Sequence, residues 1–99
     1  MDDRTKELLS LGARSFKEGD FKSAEDSFRQ ALEADPQSAL IHNNYAMLLK
    51  RMERIDDAEF HFKTALELDP QNTQIMKNYG KLLKEKNNAK KEEENNQAL

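Results

Sequence analysis

The sequence has no cysteine and no tryptophan, and only two prolines and three glycines among its 99 residues. Without cysteine, the chain has no disulfide framework, no thiolate zinc site and no cysteine nucleophile. It contains no apolar run of the length that crosses a membrane. Its first residues, MDDRTKELL, lack the basic and apolar regions of a secretory signal. We therefore expect a cytoplasmic protein, with the nucleus as the alternative, and no membrane contact.

Basic residues are not in excess, since 16 Lys and Arg stand against 19 Asp and Glu, a net charge of −3. This balance disfavours a nucleic-acid partner, because phosphate contacts need clustered basic side chains. Glycine-rich phosphate loops, GxSxG and EF-hand patterns are missing. The two histidines, His42 and His61, have no histidine or acid at the spacing of a zinc site on one helix face. We predict packing or surface roles for both, no metal, no cofactor and no enzymatic activity.

What the sequence does contain is one stretch that occurs twice. Residues 24–38, AEDSFRQALEADPQS, and residues 58–72, AEFHFKTALELDPQN, are identical at nine of fifteen positions and lie 34 residues apart. The small residues Gly12, Ala46 and Gly80 keep the same offset, and we expect all three at helix contacts. Self-similarity at a fixed period indicates a repeat architecture. A hairpin of this size cannot bury its apolar face alone, so the units should stack.

The apolar pattern predicts five helices, over about 4–18, 21–34, 39–52, 56–68 and from 73 to about 86. Leu8, Leu11, Gly12 and Ser15 should share the inward face of the first helix. Ser38 and Asn72 are predicted N-caps. Asp-Pro pairs end the second and fourth helices, because a residue before proline leaves the α region. Gly19-Asp20 makes the first turn, whereas Glu53-Arg54 at the equivalent place predicts a more strained or wider turn.

The last stretch, NNAKKEEENNQAL, is polar and low in complexity. It lacks the small and large apolar residues that a third second helix would need at Glu92 and Asn96. We therefore predict one domain over residues 1–86, made of repeats 5–38 and 39–72 and a closing helix 73–86. Residues 87–99 should form a tail that is a frayed helix or disordered.

This unit resembles the tetratricopeptide repeat, whose 34 residues carry Leu, Gly, Tyr, Ala, Phe and Pro at set places. The motif positions of repeat one are Leu8, Leu11, Gly12, Ala24, Phe28, Ala31 and Pro36. Those of repeat two are His42, Tyr45, Ala46, Leu49, Ala58, Phe62, Ala65 and Pro70. The resemblance covers roughly 80 residues. It implies an all-α solenoid of antiparallel hairpins that binds peptides on a concave surface lined by the first helix of each repeat.

The resemblance also implies which residues face a bound peptide. In repeat one these are Lys6, Leu9, Ala13, Phe16 and Lys17. In repeat two they are Leu40, Asn43, Asn44, Met47, Lys50 and Arg51, and in the closing helix Gln74, Lys77, Asn78, Lys81, Lys84 and Glu85. Seven of these are basic and one is acidic. Lys77, Lys81 and Lys84 form one stripe through their spacing alone.

Two details refine the implied surface. The carboxylate clamp by which some members hold chaperone C-termini is matched only at Asn44, since its other positions carry Leu9, Ala13, Gln74 and Asn78. Asn44 and Asn78 match an asparagine common in the family. Their amides can bond a peptide backbone bidentately.

The sequence thus favours a protein-interaction module whose groove takes a peptide or partner helix that is acidic and has an apolar anchor. Leu9, Phe16, Leu40 and Met47 would supply the apolar floor. One alternative is that these charges are ordinary solvated helix faces. Another is a structural or self-associating unit, or a fragment of a longer array. We expect a monomer, with a homodimer as the alternative.

Overall fold

The computed structural model describes the backbone of residues 1–98 and the side chains of residues 1–94. Over these residues the chain forms five helices and no strand: α1 (Asp3–Lys17), α2 (Phe21–Ala34), α3 (Ala39–Arg51), α4 (Ile55–Leu68) and α5 (Thr73–Ala98). The all-α prediction is confirmed. Within the described part of the chain, none of the helices is both long and apolar enough to cross a membrane.

Four of the five helices begin where a side chain accepts a hydrogen bond from a free backbone N–H group, whereas α4 has no such cap. Asp2 accepts from the backbone N–H of Thr5 at 2.7 Å. Ser38 accepts from the N–H of Ile41 at 3.2 Å, and Asn72 accepts from the N–H of Ile75 at 3.0 Å. The two predicted N-caps are therefore confirmed.

The turns inside the two hairpins have the same geometry despite their different residues. Gly19 has φ +83° and Glu53 has φ +60°. Each turn is closed by a backbone hydrogen bond of 2.9 Å, from Asp20 to Ser15 and from Arg54 to Leu49. Glu53 thus adopts a left-handed conformation that glycine takes without strain. The second turn is more strained than the first, as predicted, and no wider.

Pairs of antiparallel helices form two hairpins, α1 with α2 and α3 with α4, and α5 packs on the second. α3 contacts both α1 and α5, so these three helices lie side by side. The core includes the rings of Phe28 and Phe62, which lie among fully buried alanines and other buried apolar side chains. The small residues let the helices approach closely around each ring.

One polar cluster joins the two hairpins. The Tyr45 hydroxyl donates to the Glu25 carboxylate at 2.7 Å, and the Arg54 guanidinium donates to the same oxygen at 2.6 Å. Arg29 lies 3.5 Å from that carboxylate. Partial burial raises the pKa of Glu25, but the hydrogen bonds from Tyr45 and Arg54 outweigh it and leave the pKa below its usual value.

Two expectations about packing are wrong. Leu11 was expected on the inward face but is 42% exposed. Its counterpart Tyr45 packs against the Phe28 ring, 6.3 Å between centroids, and the described residues hold no earlier hairpin to cover Leu11. Gly80 was expected at a helix contact, but a Cβ built on it meets nothing within 4 Å. No described helix follows α5 to pack there.

The last helix is longer than the predicted closing helix. α5 continues through residues 87–98, and the side chains of residues 87–94 are exposed. The side chains of Ala98 and Leu99 lie outside the described residues. The division into a domain over 1–86 and a tail over 87–99 stays a prediction.

Candidate functional site

A depression of about 220 Å³ lies where α1, α3 and α5 meet. Side chains from all three helices and one from α4 line it: Phe16, Met47, Lys50, Arg51, Phe62, Asn78 and Lys81. All but Phe62 are residues that the sequence selected as peptide-facing. The 34-residue period is the cause, because it repeats the same helix face on α1, α3 and α5.

Smaller depressions flank the central one. One of about 150 Å³ is lined by Ala13, Phe16, Phe28, Asn44 and Met47. Another of about 170 Å³ is lined by Leu40, Asn43, Asp69, Asn72, Gln74 and Ile75. The central depression shares Phe16 and Met47 with the first of these. We call the three together the concave groove.

Six of the selected residues do not line this groove, and one of them, Glu85, lines a separate depression beside α4 and α5. Leu9 is half-buried and packs against the core. Lys6 lines a larger depression of about 590 Å³ on α1, beside Arg4, Leu11 and Arg14. The remaining three are exposed lysines outside the depressions described here: Lys17, Lys77 and Lys84.

Not every base of the groove is free. Lys50 Nζ lies 3.2 Å from the Glu85 carboxylate, so the acid of the selected set neutralises one of its seven bases. The Arg51 guanidinium lies 6.0 Å from the ring centroid of Phe16 and 5.7 Å from that of Phe21, a cation–π geometry. Among the described residues, Lys81 forms no ion pair.

The side-chain amides of the groove differ in whether they form internal hydrogen bonds. Asn78 Nδ2 donates to Asn43 Oδ1 at 3.1 Å, and Gln74 Nε2 donates to Asn78 Oδ1 at 3.1 Å. These bonds tie α5 to α3. Asn44 is half-buried and makes no side-chain hydrogen bond within residues 1–94. Asn44 is therefore the amide that can bond a ligand without breaking an internal contact.

A buried histidine, His42, and a partly buried one, His61, pair across the second hairpin, a contact that the sequence did not indicate. His42 Nδ1 lies 3.0 Å from His61 Nδ1, and His42 Nε2 lies 2.8 Å from the Pro36 carbonyl oxygen. A carbonyl only accepts, so His42 donates from Nε2 and its Nδ1 accepts from His61. The repeat gave no signal, because His61 aligns with Ser27 in repeat one.

Burial lowers the pKa of His61 to about 4, and the charge of His42 adds to the effect. The nearby Asp57 carboxylate opposes this shift, whereas Arg54 adds to it. Among the described residues, no group of three or more histidines and acids is placed to hold a metal ion. The pair joins α3 to α4 through the contact of its two rings.

Comparison with known proteins gives consistent results at the level of the fold. The TPR2B domain of yeast Sti1 in complex with pHsp70 aligns at 18% identity, with TM-score 0.77, over 82% of this chain and 65% of that one. The first TPR of Spaghetti (RPAP3), bound to the HSP90 peptide SRMEEVD, aligns at 25% identity, with TM-score 0.76, over 89% and 74%. The UNC-45 chaperone, whose structure concerns binding and folding of muscle myosin, aligns at 22% identity, with TM-score 0.79, over 90% and 10%.

The chain thus spans just under two thirds of the Sti1 chain and a small part of UNC-45. No curated protein matches the sequence. The sequence model of the tetratricopeptide repeat matches residues 15–61, from the end of the first helix into the fourth. The match identifies a tetratricopeptide repeat in residues 15–61 and, taken with the 34-residue period and the stacked hairpins, supports assignment of the chain to the tetratricopeptide repeat family.

Proposed function

We propose that the chain is a non-catalytic protein-interaction module whose concave groove binds a peptide or partner helix that is acidic and has an apolar anchor. The observation that carries the proposal is the central depression, where Phe16 and Met47 lie beside Arg51 and Lys81. Apolar and basic side chains from three separate helices converge there. A cytoplasmic location and a monomeric state remain part of the proposal.

The anchor would bind to apolar side chains that the fold leaves open. Met47 is 40% exposed and Leu40 is 53% exposed, and both belong to the concave groove. Burying such surface contributes about 25 cal/mol per Å². The thioether of Met47 is flexible and polarisable, so the groove should accept anchors of several shapes.

Charge should contribute more to the specificity for a partner than to the binding affinity. Lys81 and Arg51 line the central depression and Lys84 is exposed nearby on α5. Each exposed ion pair contributes only ~0.2 to 1 kcal/mol. Binding should therefore weaken with salt, and an affinity on the order of micromolar suits so small a surface.

The structural neighbours support the acidic class of peptide, since one of them holds the HSP90 peptide SRMEEVD. The means of holding it should differ here. Four positions that form the carboxylate clamp in some family members carry neutral side chains: Leu9, Ala13, Gln74 and Asn78. Because none of these four positions carries a cation, a terminal carboxylate has no dedicated site. We propose that the acids recognised are side chains, held by Arg51 and Lys81.

The test is a titration of fluorescent peptides, acidic and basic, each with and without a central Phe, at low and high salt. Lys81→Glu should weaken the acidic Phe peptide by up to about tenfold, or about 1.4 kcal/mol, because it removes one attraction and adds a repulsion of similar size. Lys63→Glu is the matched control, because Lys63 is an exposed residue of α4 that does not line the groove. Equal binding of acidic and basic peptides, or equal effects of the two variants, would contradict the proposal. The charges would then be those of ordinary solvated helix faces.

The second candidate function is a structural or self-associating repeat unit, or part of a longer array. The exposed Leu11 favours it, because the same register in repeat two, Tyr45, is covered by a neighbouring hairpin. Sedimentation over a wide concentration range separates the candidates. A constant monomer supports the interaction module, whereas a concentration-dependent dimer supports self-association.

A further inference from the structure

Within the residues that the structure describes, one helix face occurs three times and is covered twice. A Cβ built on Gly12 would lie 2.6 Å from the Phe28 ring, so α1 receives that ring at its glycine. In the second hairpin Ala46 and Phe62 are fully buried in one cluster. Gly80 occupies the third equivalent position on α5, where a Cβ meets nothing within 4 Å.

Apolar side chains flank Gly80 one turn away on each side. Met76 is 43% exposed and Leu83 is 38% exposed. Their counterparts in α3, His42 and Leu49, are buried under α4. We call the surface of Met76, Gly80 and Leu83 the α5 end face. A glycine in mid-helix destabilises the helix relative to alanine, and here no contact within the described chain offsets that effect.

We propose that the α5 end face docks an amphipathic helix supplied by another protein. The two covered copies define the helix that fits. Each inserts a Phe with an Ala four residues before it and three residues after it, as in Ala24, Phe28 and Ala31 of α2. The partner helix places such an aromatic ring over Gly80 and its small residues over Met76 and Leu83. Helix docking in an apolar groove uses this i, i+4, i+7 spacing.

The charge of the partner helix follows from how α5 already binds α4. Lys86 lies 3.1 Å from Asp56 and 2.8 Å from Glu59, and α4 carries acids in its first turn. On the other edge of α5, exposed Lys84 stands four residues after Gly80. The partner helix therefore carries acidic residues beside its apolar stripe, as α4 does.

A second copy of the chain does not meet these requirements while it stays folded. Its two rings in the required pattern, Phe28 and Phe62, are each only 1% exposed. Exposed Phe60 lacks the flanking alanines, because Asp56 and Lys63 occupy those places. A folded second copy is therefore not the occupant.

The probe is a synthetic peptide with the sequence of the α4 helix, IDDAEFHFKTALEL, titrated into the isotope-labelled full chain and followed by NMR. Its control peptide has alanine at the place of Phe62. We expect shifts at Met76, Gly80 and Leu83, and at least tenfold weaker binding of the control. Absence of binding, equal binding of the two peptides, or shifts centred on Met47 and Asn78 in the concave groove would overturn the proposal.

A pair of variants sharpens the test. Gly80→Glu places a side chain and a negative charge in the notch and should weaken the peptide at least tenfold. Asn88→Glu adds the same charge at another exposed position of α5 and should leave the affinity within twofold. Equal effects of the variants would overturn the proposal. So would a concentration-dependent dimer whose formation shifts the Gly80 signal, and so would shifts spread over α3, which mean that the peptide replaces α4.

Discussion

His42 and His61 face each other Nδ1 to Nδ1 at 3.0 Å, with their rings stacked at 5.2 Å between centroids. Only one proton can lie between the two nitrogens, so the contact tolerates one charged ring at most. Tyr45 closes the site, its ring 4.7 Å from His61. A second proton on the pair would place two donors in contact and break it.

Stability should therefore depend on the protonation of His61. In the unfolded chain this ring titrates near pH 6.5, but burial delays its protonation to about pH 4 in the folded chain. Below pH 6.5 the unfolded chain binds more protons, so the free energy of unfolding should decrease as the pH falls from about 6.5 to about 4. Urea titrations across this window measure the slope. His61→Gln should flatten it, and an unchanged slope in that variant would contradict the assignment.

Two glycines at one register should respond in opposite ways to alanine. Gly80→Ala should stabilise the chain by up to about 1 kcal/mol, because the Cβ has free space and alanine favours helix. Gly12→Ala should lose that gain and cost roughly 1 to 3 kcal/mol, since the Cβ would overlap the Phe28 ring. Thermal melts of both variants give the comparison. Equal shifts in Tm would show that α1 and α2 are less closely packed than described.

These two positions also show how far the sequence predicts the fold. The period correctly aligned Gly12 with Gly80, and Ser38 and Asn72 correctly marked helix starts. Periodicity states which residues are equivalent, but it does not state whether a neighbour is present to cover them. Leu11 and Gly80 were misplaced for that reason, since each stands at an uncovered edge of the stack.

The 34-residue period also predicted which residues line the concave groove, but it did not predict the contacts between their side chains. Equivalent faces on α1, α3 and α5 brought Phe16, Met47 and Lys81 together as expected. The bond from Asn78 to Asn43 and the ion pair of Lys50 with Glu85 depend on side-chain rotamers across helices. Such contacts have no fixed spacing in the sequence.

The strained turn offers a third prediction. Glu53→Gly should stabilise the chain by about 1 kcal/mol, because glycine adopts φ +60° without a Cβ clash. The control is Glu18→Gly, at a residue with φ −78°. There glycine only raises the backbone entropy of the unfolded chain, so the variant should be less stable. Chemical denaturation measures both. A loss of stability in Glu53→Gly would mean that the glutamate side chain stabilises the turn.

The junction of the hairpins gives a fourth prediction. Tyr45→Phe removes the hydroxyl that donates to Glu25 at 2.7 Å and should cost about 1.5 kcal/mol, since the acceptor is charged. Tyr79→Phe is the control, because its ring packs on Phe62 and its hydroxyl makes no hydrogen bond among the described residues. Unfolding in urea compares the two. Equal losses would mean that the Glu25 bond adds nothing to stability.

The polar end of α5 gives a fifth prediction. Deleting residues 87–99 should change the free energy of unfolding by less than about 1 kcal/mol, because the side chains of 87–94 are exposed and bury little apolar surface. Lys86 keeps its pairs with Asp56 and Glu59 in the truncated chain. Amide exchange should be fast beyond residue 87. Strong protection there would show that this part of the helix is docked.

The shared acceptor between the hairpins has a consequence for how a ligand is received. The Glu25 carboxylate on α2 accepts hydrogen bonds from Tyr45 on α3 and from Arg54 at the turn before α4. These two bonds should hold the angle between the hairpins. Any partner that required a wider or tighter curvature would have to separate a carboxylate from two donors. The surface formed by α1 and α3 should therefore keep its shape, and the peptide or partner helix that we propose should bind without a prior reshaping of the protein.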